Sequence, residues 1–260
     1  NEIHTFGRIR STGRYHVYAT RFMSRILITG AGGGIARAIL PVLHDLGHSM
    51  LLTTRSRTAA LESFLKDAGI DAPIFQADLT VESDVEALFE WVAENGGLDV
   101  LVNNAGIAHA AAAWKLDAAE MERLFQINFF SAVRCSSKAL PLLRAQGTGR
   151  IINVSSVVAH KPSFGTSGYA ASKSALEGYA RGIAIDVANK GITANTIAYG
   201  YMEAGMLYDV PEAMLEQIKT TIPKGSFGDA SQIGRTIDYL INSPFTTGQT
   251  LHVNGGQWMP

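Results

Sequence analysis

An α/β domain wound around a parallel sheet is the fold class this sequence predicts, and three observations predict it. Short apolar runs alternate with amphipathic stretches from Arg25 to Val253, the signature of repeated strand–helix units with right-handed crossovers. The run Ile151-Ile152-Asn153-Val154-Ser155 has the composition of a buried parallel strand. No break in composition, internal repeat or low-complexity tract divides the chain. Its 260 residues, 47% hydrophobic and 17% charged with a net charge of −1, suffice for a single core. That charge gives no electrostatic case for nucleic acid or a membrane surface as a partner. No apolar run reaches transmembrane length, and no metal is expected.

Residues 1–22 stand apart from this pattern. They carry His4, Arg8, Arg10, Arg14, His16 and Arg21 with little periodicity, and Met23-Ser24-Arg25 leads straight into the first strand. They read as a leader or appended extension, and the domain proper as 23–260. Their arginines and lack of acids after Glu2 also allow a targeting segment, but the apolar block of a secretory signal is missing.

Ile26–Thr29 forms the first strand. Gly30–Gly34 turns into a helix with apolar positions Ile35, Ala38, Ile39, Val42, Leu43 and Leu46, closed by Gly47. Strands follow at Met50–Thr54, Ile74–Ala77 and Val100–Val102, the last two separated by a helix over Val81–Glu94. A long helix is predicted from Ala118 to Leu143, then a turn at Gly147-Thr148-Gly149 into the strand ending at Ser156. The Tyr169 helix, a strand over Ile192–Ile197, a helical pair from Pro211 to Asn242 and a last strand Leu251–Val253 complete the chain. The single cysteine, Cys135, rules out an internal disulfide and fits a reducing, cytoplasmic compartment. Set among Phe129, Phe130, Val133, Ala139 and Leu140, it reads as a buried inert thiol.

Candidate chemistry gathers around Gly168-Tyr169-Ala170-Ala171-Ser172-Lys173. Tyr169 and Lys173 lie one helical turn apart, which puts phenol and ammonium on one face. Ser156 sits at a strand's carboxyl end. Such a trio can donate a proton to a carbonyl and bind its oxygen. A lone Tyr-x-x-x-Lys is an ordinary helix face, and further signals, in chain order, give this one weight.

The turn Gly30-Ala31-Gly32-Gly33-Gly34-Ile35 follows a strand and opens a helix, the setting in which backbone approaches a pyrophosphate. After the second strand, Thr54 stands where an acid would hold ribose hydroxyls, and Arg55 and Arg57 offer guanidinium groups suited to a 2′-phosphate. NADP(H) is therefore expected over NAD(H). Asp78, followed by Leu79, is placed either to accept from an adenine amino group or to cap the next helix. Asn103-Asn104-Ala105-Gly106 is rich in side-chain amides and suits closing against a cofactor. Asn128, inside a long helix, is a poor helix former whose side chain competes with the backbone.

Taken together, Thr29-Gly30-x-x-x-Gly34, Asn103–Gly106, Asn128, Ser156, Tyr169 and Lys173 resemble the short-chain dehydrogenase/reductase family, its 3-oxoacyl carrier-protein reductase-like members in particular. Thr247-Gly248-Gln249 and Asn254-Gly255-Gly256 match as well, and the resemblance covers about Ser24–Trp258. It implies a three-layer, seven-stranded Rossmann fold, a nicotinamide cofactor, and a homotetramer or a dimer. It also implies roles. Tyr169 is the general acid or base. Lys173 holds the nicotinamide ribose and lowers the phenol's pKa from about 10. Ser156 bonds the substrate oxygen, Asn128 anchors a water leading to Lys173, and Gly200 lies by the cofactor. Three departures stand out: Ala36 replaces the third glycine, Tyr199-Gly200 replaces Pro-Gly, and Ala204 takes a common threonine's place.

Substrate-lining candidates are His109 to Trp114, His160 to Phe164, and Tyr201 to Tyr208, with His109, Trp114, His160, Phe164, Tyr201 and Met206 singled out. The histidines read as walls or surface, since Tyr169 already supplies a proton. Their mixture with alanines and Met202 predicts a medium-sized, largely apolar carbonyl or alcohol. A carrier-bound 3-oxoacyl thioester would want a basic patch, for which Arg123, Arg134, Lys138 and Lys161 are available. An NAD-dependent alcohol dehydrogenase is a further alternative. A non-catalytic nucleotide sensor on the same fold would be expected to lack Tyr169 or Lys173, and both are present.

Overall fold

The computed structural model describes residues 23–56 and 58–260. The leader 1–22 and Arg57 lie outside the described residues. Seven parallel strands, β1 (Arg25–Thr29), β2 (Ser49–Thr54), β3 (Ile74–Gln76), β4 (Val100–Asn103), β5 (Gly149–Ser156), β6 (Ile192–Tyr199) and β7 (Thr250–Val253), form one sheet. Their order is β3-β2-β1-β4-β5-β6-β7. The direction of winding reverses between β1 and β4, so the carboxyl ends of these two strands open a crevice there.

Helices cover both faces. On one side lie α1 (Gly34–Asp45), α2 (Thr58–Asp67) and α8 (Ser231–Ile241); on the other lie α3 (Glu82–Glu94), α5 (Ser131–Gln146) and α6 (Ser167–Val187). Alternation along each strand feeds the two layers. Ile26 and Ile28 pack with Ile39, Leu43 and Ile237 on the first side, whereas Leu27 meets Val85, Leu88 and Leu143 on the second. Both faces of the sheet are thus dry, which is why its strands read as near-continuous apolar runs. Cys135 belongs to the second layer, and burial pushes its thiol up to about 12, as expected of an inert cysteine. Helix α2 fills the β2–β3 crossover, an element that the periodicity did not single out.

The long helix expected from Ala118 to Leu143 is not continuous. It consists of α4 (Ala118–Phe125), a π-helical turn over Gln126–Phe130, and α5. Widening the ladder by one residue turns Asn128 into the interior, where its amide takes over backbone groups of another segment (below). The C-terminal pair is α7 (Glu212–Thr220) and α8, preceded by a short 3-10 turn over Gly205–Asp209. Among the described residues, no helix is long and apolar enough to cross a membrane.

Candidate active site

A cleft of about 900 Å³ lies along the carboxyl ends of β1, β2, β3 and β4. Its floor is the glycine turn. Gly30 has φ of +66°, a left-handed conformation glycine adopts without strain, and a Cβ there would stand 2.7 Å from Ala105 Cα. A Cβ at Gly34 would collide with the backbone of Gly205 across the turn. Gly32, Gly33 and Ile35 complete this wall. Ala36 is fully buried beneath it, so the methyl in the third-glycine position fits the helix–sheet contact.

The amide-rich turn holds the floor in place. Asn104 Nδ2 donates to Thr29 O at 2.9 Å, while Thr29 Oγ1 accepts from Asn104 N and Ala105 N, both at 3.0 Å. Asn103 Nδ2 bonds Asn153 Oδ1 at 2.9 Å and Ser136 Oγ at 3.1 Å, tying β4 to β5. These amides close the crevice rather than decorate a loop.

At the far end, Thr54 is buried and its hydroxyl donates to Ser56 O, leaving exposed Arg55 at the rim. Asp78 is not the helix cap: Val81 occupies that position. Instead Asp78 Oδ1 accepts from Thr80 N at 2.9 Å and Thr80 Oγ1 at 2.7 Å. Burial raises the Asp78 carboxyl, but the Thr80 bonds and the Arg55 charge outweigh it and hold the pKa below the ordinary value. Leu79 lines the cleft beside it.

At the inner end, Gly106 is the meeting point. A side chain there would stand 3.2 Å from Lys173 Nζ and 3.3 Å from Asn128 Oδ1. Asn128 Oδ1 accepts from Ile107 N at 2.8 Å, and its Nδ2 donates to Ile107 O and Ser172 Oγ, both at 2.9 Å. Thus the π turn pins the chain that runs past Lys173. Lys173 Nζ donates to Val154 O at 2.8 Å and lies 5.8 Å from the Tyr169 ring centre. Ser156 lies near enough to Tyr169 to act on its phenol, and its own hydroxyl accepts from Val158 N. All four polar residues are buried.

The electrostatics correct one expectation. Burial pushes the Tyr169 phenol up, with Tyr199 and Tyr201 adding to the rise and Ser156 opposing it. The ammonium, itself lowered to about 8 by burial, does not dominate. Without ligand, therefore, the phenol stays protonated at neutral pH and is a proton donor.

Other expectations also change. Gly200 packs against Asn254 and Gln257 and does not line the cleft; Tyr199 does, together with Glu203, Ala204 and Tyr208. Tyr199 stands opposite Ser156 in the sheet register, and burial raises its phenol to about 12. His160 is no substrate wall: its ring stacks on Trp258 at 4.2 Å and its Nε2 meets the Glu177 carboxylate. The short 3-10 turn Val157–Ala159 carries it behind Ser156. His109 pairs with Glu120 at 3.3 Å. Trp114 and Phe164 are 78% and 82% exposed and pack edge to face at 6.1 Å. Ala111 N bonds Gly165 O at 2.9 Å beneath them, so both segments form one lip. Tyr201 is half-buried and close enough to bear on Tyr169. The Met206 side chain lies outside what is described.

Sequence reading missed Arg37, which lines the cleft above Gly32. Its Nη2 bonds Gly32 O at 3.3 Å, and its buried Nε has no hydrogen-bond partner among the described residues. A basic residue three positions past Gly34 was the available signal. Glycines that leave no room for Cβ atoms, an unsatisfied guanidinium nitrogen and the cleft volume all fit a dinucleotide.

The short chain dehydrogenase family model matches residues 24–214. This chain belongs to the short-chain dehydrogenase family. It is 34% identical over 239 residues to the 3-oxoacyl-[acyl-carrier-protein] reductase FabG of Staphylococcus aureus, covering 90% of this chain and 97% of that protein. Nodulation protein G of a Rhizobium species is 32% identical over 235 residues, covering 89% and 96%. The crystal structure of a gluconate dehydrogenase candidate from Agrobacterium tumefaciens superposes with a TM-score of 0.85 at 26% identity, over 90% of this chain and 95% of that one. The short-chain dehydrogenase described here is accordingly a nicotinamide-dependent oxidoreductase with a Rossmann fold.

Proposed function

We propose that this short-chain dehydrogenase interconverts a ketone and a secondary alcohol, with NADP(H) preferred. The observation that carries the reading is the buried Tyr169–Ser156 pair beside Lys173, at the inner end of a cleft with a glycine floor. When bound, the nicotinamide supplies the hydride in reduction and accepts it in oxidation. Gly30, Gly32, Gly33, Gly34 and Ile35 would hold the pyrophosphate; Arg55 the 2′-phosphate; Asp78 and Leu79 the adenine; and Asn104, Ala105 and Gly106 the ribose side.

In reduction, Ser156 orients the carbonyl oxygen and Tyr169 gives it the phenolic proton. Lys173 supplies positive charge beside the developing phenolate, and Asn128 keeps the Gly106–Ile107 backbone against it. A water on this path would return the proton from solvent.

A free ketone is favoured over a carrier-bound thioester. Each cation available for a basic patch is already engaged: Arg123 with Glu120, Arg134 with Glu82, Lys138 with Glu82 and Glu86, and Lys161 with Gln257 O. The aromatic lip of Trp114 and Phe164 suits an apolar substituent. The names of the FabG relatives keep the carrier thioester as the second reading. Assaying ketones, alcohols and a carrier-bound 3-oxoacyl thioester with both cofactors tests these readings. Turnover of the thioester alone would reverse their order, and no turnover of any carbonyl or alcohol would refute both.

Cofactor preference rests on Arg55 and on Thr54 standing where an acid would be. Removing a charge-assisted phosphate contact costs about 1.5–3 kcal/mol, so Arg55→Ala should weaken NADPH binding roughly ten- to hundredfold and NADH binding little. Tighter binding of NADH than NADPH to the wild type would contradict the preference.

We further expect a homotetramer. Phe130 at the end of the π turn and Ile185 on α6 are 40% and 84% exposed, on helices whose outer faces carry more apolar surface than the core uses. Light scattering at micromolar concentration should give four chains per particle; a monomer would refute the expectation.

A further inference from the structure

One buried charge is not used by the reaction described above. Glu177, on α6, is 4% exposed and lies one turn beyond Lys173. Tyr169, Lys173 and Glu177 follow at successive turns, so they share one face of the helix. A carboxylate taken out of water must find partners to remain stable. Glu177 finds two, and they flank Ser156 in sequence. Ser155, fully buried, donates its hydroxyl to Glu177 Oε1 at 2.8 Å. The Nε2 of His160 lies 3.0 Å from Oε1 and 2.9 Å from Oε2.

The other side of His160 is held just as closely. Its ring stacks on Trp258 at 4.2 Å and packs against His252 at 4.8 Å. Asn254 Nδ2 donates to Trp258 O at 2.9 Å, and Lys161 Nζ donates to Gln257 O at 3.0 Å. The C-terminal segment therefore presses the turn after Ser156 onto α6. The strand end before Ser156 and the turn after it both reach the Tyr169 helix through this one carboxylate, which reinforces the bonds of Lys173 Nζ to Val154 O at 2.8 Å and of Ser174 Oγ to Ala159 O at 3.1 Å.

We propose that Glu177 is a positioning residue: by holding Ser155 and His160 it fixes Ser156 beside Tyr169. The inference rests on the ketone–alcohol reading given above. Glu177 touches neither substrate nor cofactor and acts through Ser156. Displacing a reacting group by about an ångström costs on the order of a hundredfold in rate. Glu177→Ala should therefore lower kcat roughly ten- to a hundredfold while leaving NADPH affinity within about threefold. Glu177→Gln keeps an oxygen that accepts from Ser155 and should recover most of the loss.

The deciding measurement is a double-mutant cycle with Ser156→Ala, read as kcat on a ketone that the wild type reduces, with NADPH affinity from fluorescence and melting temperature alongside. Residues acting through one partner are not additive. In the Ser156→Ala background, Glu177→Ala should cost less than about threefold. The same fold loss in both backgrounds would overturn the proposal. So would near-native kcat in Glu177→Ala, or a parallel loss of NADPH binding. Should Glu177→Ala fail to fold, Ser155→Ala carries the test: kcat should fall at least threefold in the native background and stay unchanged without Ser156, and any other result refutes the role. Tyr169→Phe, run in parallel, separates the two levels. Turnover that does not depend on Tyr169 refutes the functional reading and this inference with it; Tyr169-dependent turnover indifferent to Glu177 refutes this inference alone.

Discussion

Tyr169→Phe should lose a hundredfold to ten-thousandfold in kcat while binding NADPH as the wild type does. The range is what a positioned general acid contributes. Phenylalanine keeps the ring that packs with Val157, Val158 and Ala170, so neither the helix nor the cleft has reason to move. Only the hydroxyl goes, and with it the proton for the substrate oxygen. Because burial holds the phenol above its ordinary pKa, the donor form prevails in the free protein through neutral pH, and reduction needs no prior ionisation. Retained turnover on a substrate that the wild type reduces would return the Tyr-x-x-x-Lys spacing to an ordinary helix face.

Lys173→Met should separate stability from function. Burial lowers the ammonium's pKa from 10.5 to about 8, so between those values the unfolded chain binds the proton more tightly than the folded one. Stability from this group is therefore lowest below about pH 8 and recovers as pH rises toward 10.5. Methionine has similar length and no charge to desolvate, at the loss of one bond to Val154 O worth about 1 kcal/mol. At pH 7 the variant should melt at or above the wild-type temperature, with the difference narrowing through that window. Activity should nevertheless fall by about a hundredfold or more, and NADPH should bind less tightly, if one ammonium serves ribose and phenol as proposed. A destabilised variant with unchanged kcat would make Lys173 a packing residue.

Much of this site is legible along the chain because its parts are local. The glycine turn, the Asn103–Gly106 turn and the pairing of Tyr169 with Lys173 each depend on neighbours in sequence, and strand–helix alternation places them at one end of the sheet. What was not legible depends on contacts between distant segments. The π turn at Asn128 looks like helix in composition; only Ile107, brought alongside by β4, gives its amide something to bind. His160 follows Ser156 closely enough to suggest a pocket wall, yet Glu177 and Trp258 turn it the other way. The Tyr169 phenol illustrates magnitude: a nearby ammonium argues for a lowered pKa, and burial, which the sequence does not display, outweighs it. Arg37 escaped notice because an arginine on a first helical turn is usually solvated, and only the fold buries its Nε.

The most direct test is isotopic. Wild-type protein, a ketone it reduces and NADPH carrying deuterium at the transferable position are incubated, and the alcohol is examined by mass spectrometry and NMR. The account predicts one deuterium on the carbinol carbon, with the hydroxyl proton drawn from solvent, and almost no labelled alcohol from Tyr169→Phe over the same interval. Unlabelled alcohol, or equal labelling by the phenylalanine variant, would contradict it.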